Sequence, residues 1–140
     1  MTRSTLILTT VAACFLSVAA QAETLTFHAV MNGATEVPPK TTAGTGTATA
    51  TIDTATKTLT YTVQYTGLSG PATMGHFHGP APVGKNAPVL VPFPAPVTSP
   101  IHNTATLTDA QIADFQAGNV YANVHTAANP GGEIRGQMVK

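Results

Sequence analysis

The sequence predicts an all-β protein, an antiparallel Greek-key β-sandwich or barrel with one short helix. Three observations predict this fold class. Short segments of alternating apolar and polar residues recur along the chain, clusters of glycine and proline separate them, and a single segment carries helix signals. The 140 residues suit one domain.

The clearest strand covers residues 58–65, where apolar and polar side chains alternate without a break. Its apolar face carries Leu59, Tyr61, Val63 and Tyr65. A period of two is the pattern of a strand with one buried face. Weaker alternation predicts six further strands, at residues 23–31, 45–53, 72–78, 104–107, 119–125 and 133–139.

Seven of the chain's eleven prolines lie between Pro80 and Pro100. Proline cannot donate to a strand ladder, so this segment is predicted to be mostly loop, with a short edge strand near residues 89–91. The segment is interpreted as a lid, a partner surface or a simple connection, and the sequence does not choose among them. Residues 108–117 are predicted to be the helix, because Thr108 and Gln111 have capping-box spacing and Gly118 can end it.

The first 22 residues have the pattern of a secretory signal peptide. Arg3 precedes an apolar stretch, and Ala20-Gln21-Ala22 offers a cleavage site before Glu23. We therefore expect a secreted or periplasmic domain over residues 23–140. An alternative is a lipoprotein signal with Cys14 as the anchored residue. The apolar stretch is too short for a good transmembrane helix, which needs roughly 20 apolar residues.

Composition excludes several classes of function. Cys14 is the only cysteine, so the predicted mature chain has neither disulfides nor thiolate chemistry, and a metal would need histidine or oxygen ligands. The formal net charge is zero, and no basic patch predicts binding to nucleic acid. No serine triad, carboxylate pair or phosphate-binding loop is evident.

The strongest candidate site is a set of histidines that strand parity places on one face. His76 and His78 are two residues apart, so both point the same way, and His125 has the matching parity on another predicted strand. With Phe77, Val124 and Ile134 in the core, these histidines and Arg135 are expected on the outer surface. Three imidazoles with an open position suit copper or zinc.

A plainer interpretation stands beside the metal site. Two histidines at this spacing are often simply polar surface residues. His28 and His102 are interpreted as ordinary surface or loop residues, and Arg135 as an ion-pair partner of Glu133 or Asp53 unless it has a functional role.

Several motifs together resemble the CHRD (chordin) domain family over about residues 24–140. The motifs are Glu36-Val37-Pro38-Pro39, Gly44-Thr45-Gly46, Leu59-Thr60-Tyr61, His76-Phe77-His78-Gly79, Tyr121-Ala122-Asn123-Val124-His125-Thr126 and Gly132-Glu133-Ile134-Arg135-Gly136-Gln137. The resemblance implies a secreted module of the kind that animal chordins use against growth factors.

The candidate site itself resembles that of copper/zinc superoxide dismutase, a Greek-key β-barrel. The predicted fold is accordingly immunoglobulin-like or superoxide-dismutase-like. The second resemblance implies copper on His76, His78 and His125, and guidance of superoxide by Arg135. The chain departs from that pattern because it has no counterpart of the zinc subsite, and His102 is a displaced candidate for the fourth copper ligand. Zinc is therefore the less favoured metal.

Three functions follow as hypotheses. The first is an exported copper protein, with or without superoxide dismutase activity. The second is a non-catalytic module that binds a protein or surface partner through its loops. The third is a copper carrier or storage protein. Only the second leaves function unchanged when the three histidines are replaced.

Overall fold

Eight strands and one short helix build the part of the chain that the computed structural model describes, residues 22–140. In chain order these are β1 (Thr24–Asn32), β2 (Thr45–Asp53), β3 (Thr58–Thr66), β4 (Ala72–His78), β5 (Val89–Pro92), β6 (Ile101–Thr106), α1 (Asp109–Gln116), β7 (Tyr121–Thr126) and β8 (Ile134–Gln137), with a short 3-10 turn (Gly33–Thr35) after β1. The strands form one antiparallel sheet in the order β5-β4-β7-β8-β1-β2-β3-β6. This barrel-like sheet confirms the predicted all-β fold class.

The interior is formed by the apolar residues of the alternating strands. Tyr61 on β3 and Phe77 on β4 come from distant parts of the sheet, yet their ring centroids lie 5.1 Å apart. The sheet therefore curls until its two halves face each other. Phe115 of α1 packs on Phe77 at 5.7 Å and on Phe27 at 5.4 Å, so the helix covers part of this core.

Gly75 on β4 is required by this packing. A Cβ at this position would lie 2.5 Å from the ring of Phe93, which follows β5. Such a distance is a steric overlap, and Phe93 is itself held against Tyr61 and Phe77. Any larger residue at position 75 would push the β4–β5 edge away from the core.

The helix prediction is confirmed in its details. The Thr108 hydroxyl accepts a hydrogen bond from the Gln111 N–H, and the Gln111 side chain accepts one from the Thr108 N–H. The edge strand predicted near residues 89–91 is also confirmed, as β5. In contrast, β6 begins at Ile101, three residues before the predicted start, because Ile101–Asn103 extend the pairing with β3 up to the residue that follows Pro100.

The predicted signal peptide and the lipoprotein alternative at Cys14 lie outside the described residues, apart from Ala22 at the predicted cleavage site. Both stay predictions. Among the described residues, no helix is long and apolar enough to cross a membrane.

Candidate metal centre

The candidate site is built on the outer face of β4, β7 and β8, which are neighbours in the sheet. In the register of these strands, His76 lies opposite Asn123, and Asn123 lies opposite Arg135. The intervening residues Phe77, Val124 and Ile134 are fully buried in the core. Since side chains alternate along a strand, the histidines and the arginine project from the opposite face, as strand parity predicts.

The structure brings the three predicted histidines together. One ring nitrogen from each of His76, His78 and His125 lies within 4.8 Å of the other two. Nδ1 of His76 is 3.3 Å from Nε2 of His125. This convergence is close enough for the three imidazoles to hold one metal ion, with bonds of about 2 Å from each nitrogen.

Backbone carbonyls fix the tautomers of two of these histidines. Nδ1 of His78 donates to the Ala87 carbonyl at 3.0 Å, and Nδ1 of His125 donates to the Pro130 carbonyl at 2.9 Å. A carbonyl only accepts, so the proton of each neutral ring lies on Nδ1 and the lone pair on Nε2; that of His125 faces Nδ1 of His76, 3.3 Å away. Metal-binding histidines are commonly oriented in this way.

Nε2 of His78 gives independent support for a ligand. This atom is buried and has no hydrogen-bond partner. A buried acceptor without a partner is costly in free energy, and native structures contain few of them. A metal ion bound by the cluster would satisfy it.

The environment favours the neutral form of His76 and His78. Burial, together with the neighbouring His125 and His78, lowers the pKa of His76 to about 4. Burial also lowers the pKa of His78, although its hydrogen bond to Ala87 opposes that change. Neutral imidazole is the form that binds metals, so these two residues need no deprotonation at neutral pH.

The expectation that the histidines and Arg135 lie on the outer surface was wrong. His125 is 7% exposed and Arg135 is 2% exposed, while His76 and His78 are half-buried. Residues 79–88, here called the 79–88 loop, cover part of this face. Strand parity identifies the face on which a side chain lies, but it does not reveal a loop that folds over that face.

Side chains of β7 and β8 form hydrogen bonds with main-chain atoms of the 79–88 loop and with the side-chain amide of Asn86. Gln137 donates to the Ala81 carbonyl at 2.9 Å, and the Tyr121 hydroxyl accepts from the Ala87 N–H at 3.1 Å. Arg135 donates to the Asn86 side chain at 2.9 Å and also to the Lys85 carbonyl. The loop in turn supplies the Ala87 carbonyl that orients His78, so it is part of the site.

Arg135 does not form the predicted ion pair with Glu133 or Asp53. The Asp53 carboxylate accepts from the N–H groups of Ala55 and Thr56 in its own turn. The Glu133 carboxylate is occupied by hydroxyl and N–H donors. The Arg135 guanidinium instead lies over the Tyr121 ring, with Cζ 3.4 Å from the ring centroid. Tyr121 also stacks on His78, with centroids 4.8 Å apart and an interplanar angle of 8°.

A small pocket beside the cluster contains a residue that the sequence did not single out. Its volume is about 160 Å³, and its lining includes Glu36, Asn86, Asn123, Arg135 and His78. Glu36 is 4% exposed and accepts a hydrogen bond from the Asn123 amide. Burial raises the pKa of Glu36 to about 7, against the opposing effects of Arg135 and of hydrogen bonds. Glu36 and Asn123 are 87 positions apart, so no local pattern predicts their contact.

The remaining histidines stay apart from the cluster. His28 and His102 are exposed, and His102 shares a hydrogen bond of 2.9 Å with the Thr62 hydroxyl on the far part of the sheet. Their interpretation as surface residues is therefore confirmed. Within residues 22–140, the cluster offers three histidine ligands and no fourth histidine, cysteine or carboxylate ligand. Such a site can hold a metal ion and leave a coordination position open.

Comparison with known proteins identifies a family. No curated protein and no solved structure matches the chain. The family model of the CHRD domain matches residues 27–138, a range that contains β4, β7, β8, the 79–88 loop and Glu36. This match covers most of the chain and agrees with the motifs that carry the resemblance. On this evidence, the chain belongs to the CHRD domain family.

Proposed function

We propose that this CHRD-domain protein binds a copper ion through Nδ1 of His76, Nε2 of His78 and Nε2 of His125. The observation that carries the proposal is the pair of Nδ1–carbonyl hydrogen bonds, which places the lone pairs of His78 and His125 on Nε2, together with the unpartnered buried Nε2 of His78. Three neutral imidazoles suit copper, and copper(II) binds such donors more tightly than zinc does.

A copper titration tests this proposal. Purified protein is titrated with Cu(II) against a competing chelator, and we expect one equivalent to bind. His78→Ala should weaken binding by more than the roughly 10–100-fold that loss of a ligand's hydrogen-bond partner typically costs. His102→Ala is the matched control and should bind like the wild type, because His102 lies away from the cluster. Equal copper binding by the wild type and a His76→Ala/His78→Ala/His125→Ala variant would contradict the proposal.

Export of the domain is part of the same proposal. The signal-peptide pattern of residues 1–22 predicts secretion or transfer to the periplasm, with cleavage after Ala22. Mass spectrometry of the protein recovered from its producing cells measures the N-terminus. A chain that begins at Glu23 supports cleavage there, and a lipid-modified Cys14 supports the alternative.

Superoxide dismutation is a second candidate function. The observation that favours it is the Arg135 guanidinium in the pocket that His78 also lines, because a cation there attracts a small anion to the metal. In this reaction, one superoxide gives up an electron and becomes dioxygen. A second superoxide accepts that electron and two protons and becomes hydrogen peroxide, as copper cycles between Cu(II) and Cu(I).

An assay of superoxide consumption separates this enzyme from the other hypotheses. The copper-loaded wild type should outperform the same concentration of free copper, and Arg135→Gln should be slower, particularly at low salt. A copper carrier or storage protein binds copper without this activity. A non-catalytic binding module keeps its partner when the three histidines are replaced.

A further inference from the structure

The pocket beside His78 contains a buried positive charge without a carboxylate partner. Arg135 is 2% exposed, and within residues 22–140 the single ion pair joins Lys57 to Asp109. The guanidinium donates to neutral acceptors, the Asn86 amide and the Lys85 carbonyl, and it packs on Tyr121. Burying a cation without a counter-ion is unfavourable. The site therefore favours a ligand that brings a negative charge.

Glu36 lines the same pocket but compensates this charge only in part. Burial raises the pKa of its carboxyl to about 7, so near neutral pH this carboxyl is not fully ionised. Arg135 and Lys40 act against that increase, and the other titratable groups that line the pocket are His78 and Tyr121. In its acid form Glu36 is a hydrogen-bond donor, while one of its oxygens accepts from Asn123.

We propose that this pocket binds a small carboxylate-type anion, of the size of formate or bicarbonate, between the Arg135 guanidinium and the Glu36 carboxyl. The guanidinium presents a planar fork of donors that suits a planar anion with two oxygens. The protonated Glu36 donates to such an oxygen, so the two carboxyl groups share one proton. The pocket has a volume of about 160 Å³, which accommodates an anion of this size.

This proposal goes beyond the copper site because anion binding needs no metal. The pocket is formed by residues outside the histidine cluster, apart from His78, and the charge that attracts the anion belongs to Arg135. The two proposals are linked by position, because an anion in this pocket lies beside His78, a proposed copper ligand.

The test uses metal-free protein and sodium formate. Amide resonances are followed by NMR at constant ionic strength, with sodium chloride as the control for charge alone. We expect saturable shifts at Asn123 and Gly131 with formate but not with chloride. Wild-type affinity should fall by about tenfold between pH 6 and pH 8, as expected for loss of a proton with a pKa of about 7.

Three variants make the result decisive. Arg135→Gln should abolish saturable binding, and Glu36→Gln should bind formate but lose the pH dependence, because a glutamine amide donates at both pH values. Unlike Arg135→Gln, Glu36→Gln does not remove the contacts that hold the 79–88 loop. His76→Ala should bind formate normally even though it is expected to bind copper poorly, so failure of one proposal does not imply failure of the other. Equal responses to formate and chloride, or formate binding that persists in Arg135→Gln, would overturn the proposal.

Discussion

The two buried glutamates, Glu133 and Glu36, both contact β7, yet burial has opposite consequences for them. Glu133 accepts hydrogen bonds from the hydroxyls of Thr42, Ser69 and Thr126 and from the Ser69 N–H. Burial alone raises the pKa of Glu133, but these hydrogen bonds outweigh it and lower the pKa to about 2. Glu36 has fewer donors, so burial prevails and its pKa rises to about 7.

The difference shows how to tell a structural carboxyl group from one that is available to a ligand. Glu133 has its oxygens occupied by the protein, and its fixed charge holds the segments around Thr42 and Ser69 against β7. Glu36 lies in a pocket with part of its hydrogen-bonding capacity unused. Both side chains are almost inaccessible to solvent, and the hydrogen-bond donors around each carboxyl group distinguish their roles.

The largest expected difference between Glu133 and Glu36 is in the loss of stability when each is replaced. Glu133→Ala removes a buried carboxylate that accepts four hydrogen bonds, one of them from the hydroxyl of the buried Thr126, so we expect a loss of about 3 kcal/mol in the free energy of unfolding at pH 7. Glu36→Ala should cost clearly less. Urea denaturation of both variants measures the difference, and equal losses would contradict the comparison.

Glu133 and Glu36 should make the stability of the metal-free protein depend on pH in opposite directions. Glu133 stabilises the fold above its unfolded pKa of 4.5, and this contribution is lost as the pH falls from 4.5 toward 2. Glu36 binds a proton more tightly in the folded state, so its contribution is full below pH 4.5 and is lost as the pH rises toward 7. Melting temperatures of the wild type, Glu36→Gln and Glu133→Gln across pH 2–8 should show the two separate windows.

His76 should add a third dependence to the same measurement. Its folded pKa of about 4 lies below its usual value of 6.5, so the unfolded state binds the proton more readily between these values. Through His76, the metal-free protein should therefore lose stability as the pH falls from 6.5 to 4, which is opposite in sign to the contribution of Glu36 where the two windows overlap. His76→Gln removes this loss. If His76→Gln keeps the wild-type dependence of stability on pH between 4 and 6.5, the pKa of His76 is not lowered in the folded protein.

Copper affinity should respond to the loop contact beside the pocket. Tyr121→Phe keeps the ring between His78 and Arg135 but removes the hydroxyl that accepts from Ala87. Because the Ala87 carbonyl orients His78, we expect copper binding to weaken by about tenfold, at the low end of the range for disturbing the hydrogen-bond partner of a metal ligand. Competition with a chelator measures this change. Unchanged affinity would mean that the loop holds His78 without Tyr121.

The smallest effect is expected far from both glutamates. Thr108→Ala removes the cap of α1 and should cost about 1 kcal/mol of stability. Copper and formate binding should remain at wild-type levels, which makes this variant a control for general destabilisation. Lower ligand affinity in this variant would show that overall stability, and not local contacts, governs the site.

Strand parity predicted much of this molecule because it depends on neighbouring residues alone. It placed His76 and His78 on one face of β4, and it placed His125 on the same face of the sheet. The helix also followed from local signals, since Thr108 and Gln111 are three positions apart.

The rest depends on contacts between distant segments. Proline content predicts that residues 80–100 are mostly loop, but it carries no information on where the loop lies, so the burial of Arg135 was missed. Glu36 reaches the site through the turn after β1, and its partner Asn123 belongs to β7. Its altered pKa arises from that burial and could not be inferred from its neighbours in the chain.

The attachment of the 79–88 loop has a consequence for how this protein can change over evolutionary time. Most of its contacts with β4, β7 and β8 use main-chain atoms, including the carbonyls of Ala81, Lys85 and Ala87. Carbonyls are present whatever the side chain, and Val83 at the tip is 77% exposed. Substitutions at the tip can therefore alter what approaches the pocket from outside without moving the imidazoles beneath it. The outer surface of the 79–88 loop and the arrangement of the three imidazoles can change independently of each other.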